Sequence, residues 1–445
     1  MRRQKKIAGR KKEQGIILTL VAVFMLAVVG AMAALSIDVV ALYTARSEAQ
    51  LAADAAALAG ARMLANSGMT SDPTNATLAS NAETLASAVA SQVAQSNQVG
   101  GRNLAAGEVT VSFPNGGSLG FGTNPQVKVQ VQRTDLPTFF ARIWGSNQLM
   151  VKASATAEAY NPSGASALGG TVAPVAPSCV KPWVLPNMSP NDSTGATRII
   201  NRTTGAITDR ALLGEDLSAT PLQARCAPNM CGGNWWTTPP ATPKPWQYYP
   251  GDPSSFPAPT TMLPACTAGF TALEDSIAGC VQTPIACGDM VDLEKVHGGL
   301  RPETADAVNC LIHASTSATT ADSVDPNFGP PLGLPFHFLA GADNPLVLAG
   351  TVPLNTAVLV SDSIVTVPIY DDGNLSSVPT PPVPIVGFVQ VFLSATGTAI
   401  PNSGSNRGAM NAMVINIAGC GTGATGTPIL GNGASPVAVR LISPP

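Results

Sequence analysis

The most apolar stretch of the chain lies near its N-terminus and carries no charged side chain. Residues 15–37 read GIILTLVAVFMLAVVGAMAALSI. As a helix at ~1.5 Å per residue this stretch is about 35 Å long, enough to cross a hydrocarbon core of ~30 Å. Residues 39–64 contain no Pro and no Gly before Gly60, and they are rich in Ala, Leu and Val. The sequence therefore predicts a membrane-crossing helix, from Gly15 and Ile16 to Ile37, that continues as helix beyond the membrane.

Residues 38–160 show one further helical pattern and then a period of two. In residues 76–95 the apolar positions share one helix face: Leu78, Ala82, Leu85, Val89 and Val93. Alternating apolar and polar residues predict half-buried antiparallel strands over 109–113, 126–132 and 149–158. A short helix is predicted over 136–144, with Pro137 in its first turn. This part is predicted to be a small exported α+β domain.

Residues 161–178 have the composition of a linker, and residues 179–445 are predicted to form a second exported domain that is mainly β and rich in loops. A short helix is predicted over 301–314, with Pro302 at its start. Strand patterns lie at 346–348, 358–370, 385–393, 413–417 and 437–442. The fold class is therefore α+β, with a long N-terminal helix, a small α+β domain and a larger β-rich domain.

Charge is unevenly distributed along the chain. The net charge is −3, yet residues 1–14 contain seven basic residues and one acidic residue. A basic tip before an apolar helix is typical of a cytoplasmic N-terminus, which would leave the rest of the chain outside. A nucleic-acid-binding arm is the alternative, and the apolar run that begins directly after the tip argues against it. No nucleic-acid partner is expected.

A cleaved secretory signal is the rival interpretation of the N-terminus. Ala31, Met32 and Ala33 form an AxA pattern after a basic region and an apolar run. The apolar run is longer than an ordinary signal, and the helical pattern continues for about seven turns past it. We therefore expect residues 1–33 to be retained.

The segment from Glu13 to Arg62 resembles the N-terminal part of TadE/TadG-like proteins of the Flp (Tad) pilus assembly system. The matching features are the basic start, the Gly before the apolar helix, the Asp after it and a specific Ala-rich run: Gly15, Asp38, Ala45–Arg46, Gln50 and AADAAALAGA at 52–61. The resemblance implies an uncleaved anchor in the bacterial inner membrane and a role in pilus assembly, with the bulk in the periplasm or outside the cell. The predicted order of elements is also similar to that of pilins, which is an analogy of fold alone.

The sequence departs from processed pilin-like members of this family. Those proteins have Glu at the fifth position after the cleavage-site Gly, whereas the fifth residue after Gly15 is Leu20. The departure favours the TadG-like branch, with no prepilin processing.

Polar residues beyond the membrane recur at multiples of four along the predicted helix. Arg46, Gln50, Asp54 and Arg62 form a slowly drifting stripe, and most of the remaining surface is Ala, with Gly60 near the end. Small side chains allow close packing of helices. This surface, together with Asp38, is predicted to pack either against the protein's own domain or against neighbouring subunits of the pilus machinery.

All cysteines lie after residue 178: Cys179, Cys226, Cys231, Cys266, Cys280, Cys287, Cys310 and Cys420. An even number confined to the exported part predicts disulfides, although eight cysteines allow 105 pairings. Zinc is the alternative, and the absence of a CxxC spacing argues against it.

An aromatic, Pro-rich segment follows the first cysteines. It includes Trp235, Trp236 and Trp246, which could stack on glycan or peptidoglycan, or could fill gaps in a loop-rich domain. A surface adhesion protein is therefore the alternative function.

No sequence motif for catalysis is present in a convincing context. Asp371–Asp372 and Asp289 with Asp292 lack the calcium-loop spacing, and Asp216–Thr220 lacks the strand that a von Willebrand A metal site requires. We expect a non-enzymatic structural or assembly protein without a cofactor or metal.

Overall fold

The computed structural model describes most of the chain, with gaps between its segments. The described residues are 11–117, 119, 123–138, 140, 148–163, 173–189, 192, 197–214, 223–224, 247–250, 259, 263–292, 300–314, 320–325, 338–358, 361–371, 382–395, 399–403, 410–420, 429–430 and 435–442.

Helices of the described residues begin with one very long element. They are α1 (Lys11–Asn66), α2 (Ala76–Ser96), α3 (Ala272–Ala278), α4 (Leu300–Leu311) and α5 (Pro345–Leu348). The predicted continuation of the apolar helix past residue 37 is confirmed, since α1 is unbroken to Asn66. The helices predicted at 76–95 and 301–314 are also present, as α2 and α4.

Strands in the described residues range from two residues, as in β1, to thirteen, as in β5. In chain order they are β1 (Gln98–Val99), β2 (Arg102–Asn103), β3 (Val109–Ser112), β4 (Gln126–Pro137), β5 (Gln148–Tyr160), β6 (Val175–Ala176), β7 (Trp183–Pro186), β8 (Gln223–Ala224), β9 (Gln247–Pro250), β10 (Met290–Val291), β11 (Ser323–Val324), β12 (Phe338–Leu339), β13 (Ala357–Val358), β14 (Ile364–Tyr370), β15 (Val383–Ser394), β16 (Asn411–Gly419), β17 (Ile429–Leu430) and β18 (Ala438–Ile442).

Two larger sheets organise these strands. One has the order β18-β5-β4-β3, and the other has the order β10-β15-β14-β7-β9-β8 with β16 also paired to β15. Antiparallel pairing of β15 with β14 and β16 builds the centre of the larger sheet. The α+β class predicted from the sequence, with a long N-terminal helix and a sheet-rich part that contains disulfides, is confirmed.

The chain divides into two compact units. Unit 1 comprises Met1–Ala56, Ala90–Val111 and Val129–Ala155, and unit 2 comprises Ala57–Val89, Ser112–Lys128 and Thr156–Pro445. The domain bounds drawn from the sequence, including the linker at 161–178, stay a prediction.

In unit 1, the alternation predicted for β4 sets its inner face. Val129 and Val131 are fully buried, while Gln130 and Gln132 between them are half-buried. Because successive side chains of a strand point to opposite faces, a run of Val on one face fixes the register of the strand.

In unit 2, the core lies around the β14-β15-β16 centre of the larger sheet. Val365, Val389 and Val414 are buried there against Ile277 of α3 and Val308 of α4. A smaller cluster packs Phe338 of β12 against Phe392 of β15, and the two rings stack at 5.0 Å between centroids. These β-branched and aromatic runs explain why the C-terminal strands form in a Gly- and Pro-rich chain.

The C-terminal end of α1, which belongs to unit 2, is tied to strand β16 by polar groups. Asn416 donates its amide N–H to the carbonyl of Ala65. Ser71 donates its hydroxyl to the Ile417 carbonyl at 3.0 Å and accepts the Ile417 N–H at 2.9 Å, and Asn161 donates to the same carbonyl at 2.8 Å. Buried backbone groups must be paired in this way, so these side chains fix where the helix meets the sheet.

Three local predictions are corrected by the structure. Residues 346–348 are helical, because Asn344 caps α5 by accepting the Leu346 N–H and Pro345 occupies the first turn. The strand predicted over 358–370 is divided into β13 and β14 by a turn in which Ile364 donates to the Ser361 carbonyl. The helix predicted from residue 136 does not begin there, since β4 extends to Pro137. Residues 139 and 141–147 lie outside the described residues.

Glu158 is a buried carboxylate whose charge is matched by one arginine. Arg440 donates to its Oε1 at 2.7 Å from Nε and lies over the Tyr160 ring at 5.0 Å. We expect Arg440→Leu to lower the free energy of unfolding by ~3 kcal/mol, because it leaves the Glu158 charge buried and unpaired. This is the low end of the usual range, since Arg440 itself is half exposed. Urea unfolding of the full chain in detergent micelles measures this loss.

The pair of Arg202 with Asp371, at 3.2 Å, provides the control, because its carboxylate is less deeply buried than Glu158. Arg202→Leu is expected to cost less than ~1 kcal/mol, as exposed pairs usually do. Equal losses for Arg440→Leu and Arg202→Leu would contradict the account of Glu158.

Lys181 is a buried amine held by backbone carbonyls. Its Nζ donates to the carbonyls of Ile277 and Gly279, at 2.7 and 2.8 Å, at the end of α3. Burial lowers the pKa of Lys181 to about 7, although the charge of Asp362 acts in the opposite direction. Two donated hydrogen bonds suit a neutral amine, which has two N–H groups.

The depressed pKa of Lys181 predicts a pH-dependent stability. Between pH 7 and 10 the unfolded chain keeps the Lys181 proton that the folded chain has lost, so the free energy of unfolding rises with pH. Relative to Lys181→Met, the wild-type chain should gain up to ~1.4 kcal/mol per pH unit. Urea unfolding in micelles from pH 7 to 9 measures both slopes, and parallel slopes would contradict the depressed pKa.

Candidate membrane anchor and its continuation

The N-terminal part of α1 presents apolar side chains outward on every side. Leu20, Phe24 and Leu26 are each about two-thirds or more exposed, with Leu26 at 75%. Among the described residues, α1 alone is long and apolar enough to cross a bilayer, and its most apolar 18-residue window is only 6% buried. A core helix of a soluble protein would bury its apolar face, and this stretch does not. Gly15 and Ile16 lie within α1, and Ile37 is exposed at the end of the charge-free stretch.

Asp38 is the first charged residue after the charge-free stretch, and it is turned into unit 1. Its side chain is only 4% exposed, and Oδ2 accepts the backbone N–H of Phe140 at 3.0 Å. A carboxylate with hydrogen-bond donors tolerates burial, which an isolated one does not. Asp38 therefore fixes the point at which the apolar helix joins the folded part of unit 1.

The Ala-rich segment of α1 is buried within this chain. Its fully buried alanines are Ala49, Ala52, Ala53, Ala56, Ala57 and Ala61, and Gly60 is buried as well. These alanines are therefore covered by other parts of the chain itself.

The polar stripe of α1 is divided between solvent and the interior. Arg46 is exposed, while Gln50 donates to Asp54 at 2.8 Å and to the Ser154 carbonyl at 3.3 Å. Burial lowers the pKa of Arg62. The assembly role predicted for Asp38, Arg46, Gln50, Asp54 and Gly60 stays a prediction.

A cleft of about 330 Å³ opens beside Asp38 in unit 1. It runs along α1, where Glu48 accepts the Gly100 N–H at 2.6 Å. Its lining includes Asp38, Leu42, Glu48, Gly101, Leu136 and Leu149. The cleft therefore marks where α1 and the ends of β4 and β5 approach one another.

An arginine network in unit 1 was not foreseen from the sequence. Arg102 contacts Glu108 at 2.6 Å and Asp135 at 2.8 Å, and Arg133 also contacts Asp135 at 2.8 Å. These arginines hold the pKa values of Glu108 and Asp135 below their usual range. No motif links residues so far apart, so only the fold could reveal the network.

The described cysteines form three disulfides. The pairs are Cys179–Cys280, Cys266–Cys310 and Cys287–Cys420, with Cα–Cα distances of 4.4, 5.8 and 5.5 Å. The prediction of disulfides is confirmed for these residues, which are not available as zinc ligands. Cys226 and Cys231 lie outside the described residues.

The candidate glycan-binding and calcium residues gain no support. Trp235, Trp236 and Trp246 lie outside the described residues, so glycan contact stays a prediction. Asp371 is paired with Arg202, and Asp372 lies outside the described residues.

Comparisons with known proteins extend to the N-terminal segment alone. The family model described as putative Flp pilus-assembly TadE/G-like matches residues 15–63. No curated protein and no solved structure matches the chain. The matched segment coincides with the exposed apolar part of α1 and its buried Ala-rich continuation. The resemblance predicted from the sequence is confirmed: residues 15–63 are similar to the TadE/G-like family of putative Flp pilus-assembly proteins.

Proposed function

We propose that this protein is a non-catalytic component of a Flp-type pilus assembly machinery, anchored in the inner membrane by α1 with its bulk outside the cytoplasm. One observation carries the proposal: a single unbroken helix contains an exposed apolar stretch and a buried Ala-rich stretch, and the family match covers both. Leu20, in place of a Glu, favours the TadG-like branch.

The exposure along α1 supports the anchor. About 21 residues from Ile17 to Ile37 give a helix of ~32 Å, which matches the hydrocarbon thickness. In a membrane, lipid would cover the large apolar side chains that are exposed along this stretch. The basic tip at residues 1–14 supports a cytoplasmic N-terminus.

The ionisable groups of the described residues support a structural role. Arg102 joins Glu108 and Asp135, and Arg440 joins Glu158. These pairs hold separate parts of the chain together, which is what a scaffold requires.

The contact with other pilus proteins is proposed to use the exposed side of α1 beyond the membrane. The Ala face is covered by the chain itself, whereas Arg46 is exposed. An exposed basic side chain can select a partner with acidic groups. Arg46 is therefore the residue at which a partner is expected.

In vivo photo-cross-linking tests this contact. A photoreactive amino acid at position 46 is expected to capture another envelope protein encoded with the pilus system, identified by mass spectrometry. Deletion of the gene is expected to reduce surface pili at least tenfold, counted by electron microscopy.

The control places the same photoreactive group at Leu348 in unit 2, which is 70% exposed. We expect no pilus-system protein to be captured there. Normal piliation of the deletion strain, together with no capture at position 46, would refute the proposed function.

A further inference from the structure

Exposed apolar side chains remain on unit 1 just beyond the end of the charge-free stretch. Tyr43 on α1 is 69% exposed and Met150 on β5 is 59% exposed. Val40, between Asp38 and Tyr43, is also exposed. Isolated apolar residues on a surface are ordinary. Whether Tyr43 and Met150 serve one purpose therefore depends on whether both lie at the level of the lipid headgroups.

Two contacts set the direction of β5 relative to α1. Phe140, in the connection between β4 and β5, donates its N–H to Asp38, and further along Gln50 donates to the carbonyl of Ser154. From Asp38 to Gln50 the helix rises ~18 Å, and from Gln148 to Ser154 the strand rises ~20 Å. Strand β5 therefore starts near the level of Asp38 and runs beside α1, away from the apolar stretch.

These rises give each exposed side chain a height above Asp38. Tyr43 lies ~7 Å above it along the helix, and Met150 lies ~7 Å above Gln148 along the strand. The headgroup layer on one side of a bilayer is ~5–8 Å thick. Tyr43 and Met150 therefore fall within that layer, whereas Leu51, ~20 Å above Asp38, falls outside it.

The chemistry of these side chains suits the headgroup layer. Tyr has an apolar ring and a polar hydroxyl, and it is enriched at membrane–water interfaces for that reason. Met is flexible and apolar, and it adapts to irregular surroundings. Exposed Lys152 lies ~13 Å above Gln148 along the strand. From there its long basic side chain can reach back to lipid phosphates.

We propose that unit 1 rests directly on the bilayer that α1 crosses, with Tyr43 and Met150 in the lipid headgroup layer. This inference rests on the proposed anchor. The lipid contact adds a second attachment beside the helix, and it restricts tilting of unit 1 relative to the membrane.

Depth-dependent fluorescence quenching tests the contact. Single cysteines replace Tyr43, Met150, Leu51 or Leu26 in the full chain, and each is labelled with the environment-sensitive dye NBD. The labelled proteins are reconstituted into vesicles of phosphatidylcholine and phosphatidylglycerol, with and without lipid that carries a nitroxide on its headgroup. Leu51 is the matched control, because it is 65% exposed on the same helix.

Labels at positions 43 and 150 are expected to be quenched at least threefold more than the label at 51. Equal quenching at 43, 150 and 51 would overturn the contact. So would labels at 43 and 150 that are shielded from aqueous iodide without being quenched by the nitroxide lipid, since protein would then cover them.

The label at position 26 separates this inference from the proposed anchor. Quenching of that label by lipid with a nitroxide on its acyl chain is expected if α1 spans the bilayer. If position 26 is quenched and 43 and 150 are not, the anchor stands and the contact fails. If position 26 is not quenched, both fail.

Discussion

A chain in which Leu26 is replaced by Arg is expected to lose most of its stable membrane insertion. Leu26 lies near the middle of the charge-free stretch and is 75% exposed, so in a membrane it would face lipid. An Arg at the centre of a spanning helix costs ~2.5–3.5 kcal/mol relative to water, and the favourable contribution of Leu is lost as well. We expect the fraction of protein that resists carbonate extraction to fall at least fivefold.

The same substitution further along α1 provides a matched control. Leu51 is also highly exposed, at 65%, but it lies 14 residues beyond Ile37. Leu51→Arg should therefore leave carbonate resistance unchanged. If Leu26→Arg and Leu51→Arg change carbonate resistance to the same extent, the charge-free stretch is not the segment that spans the membrane.

Loss of the Cys287–Cys420 disulfide is the other change with a large expected effect. This bridge joins residues that are 133 apart in the sequence. Chain entropy gives ~5 kcal/mol for a loop of that length, and native disulfides of exported domains contribute ~2–5 kcal/mol. The double variant Cys287→Ala, Cys420→Ala is expected to lower the free energy of unfolding by ~2–5 kcal/mol. Urea unfolding of the full chain in micelles measures this loss.

The Cys266–Cys310 bridge is the natural comparison, since it spans 44 residues. Its removal is expected to cost ~1 kcal/mol less, because the loop-closure entropy varies with the logarithm of loop length. Thiol titration of the denatured, unreduced protein should find no free thiol at the six described cysteines. Free thiols at these positions, or unchanged stability of the Cys287–Cys420 double variant, would contradict the disulfide account.

Much of the N-terminal half could be predicted because its elements follow from local pattern. A stretch rich in Ala and Leu without Pro favours helix locally, and so α1 extends through Ala52 and Gly60 to Asn66 as expected. Alternation at Val127, Val129 and Val131 predicted β4, because a period of two requires an extended strand with one buried face.

Other features depend on residues that meet only in the folded chain. The pattern at Leu346–Leu348 has the composition of a strand, and the cap from Asn344 makes it a helix. Pairing of Cys179 with Cys280, 101 residues away, has no local signal. The burial of Asp38 also depends on Phe140, which is distant in the sequence.

The coverage of the Ala-rich face by the chain itself could not be decided from the sequence. Small side chains allow a helix to pack closely against any partner. Alanines such as Ala53 and Ala57 would therefore be expected whether the helix packs within the chain or against another subunit. In the structure the alanines of this face are buried within the chain, whereas Arg46 is exposed.

The retained anchor is the central claim, and the mature N-terminus of the protein tests it most directly. Spheroplasts are treated with protease, and the protein from untreated and treated membranes is identified by intact mass and by its N-terminal peptides. The account predicts that untreated membranes contain the chain with residues 1–37 attached, and that protease leaves only a short fragment containing the basic tip and the charge-free stretch. A soluble exported form that lacks residues 1–33 would contradict it.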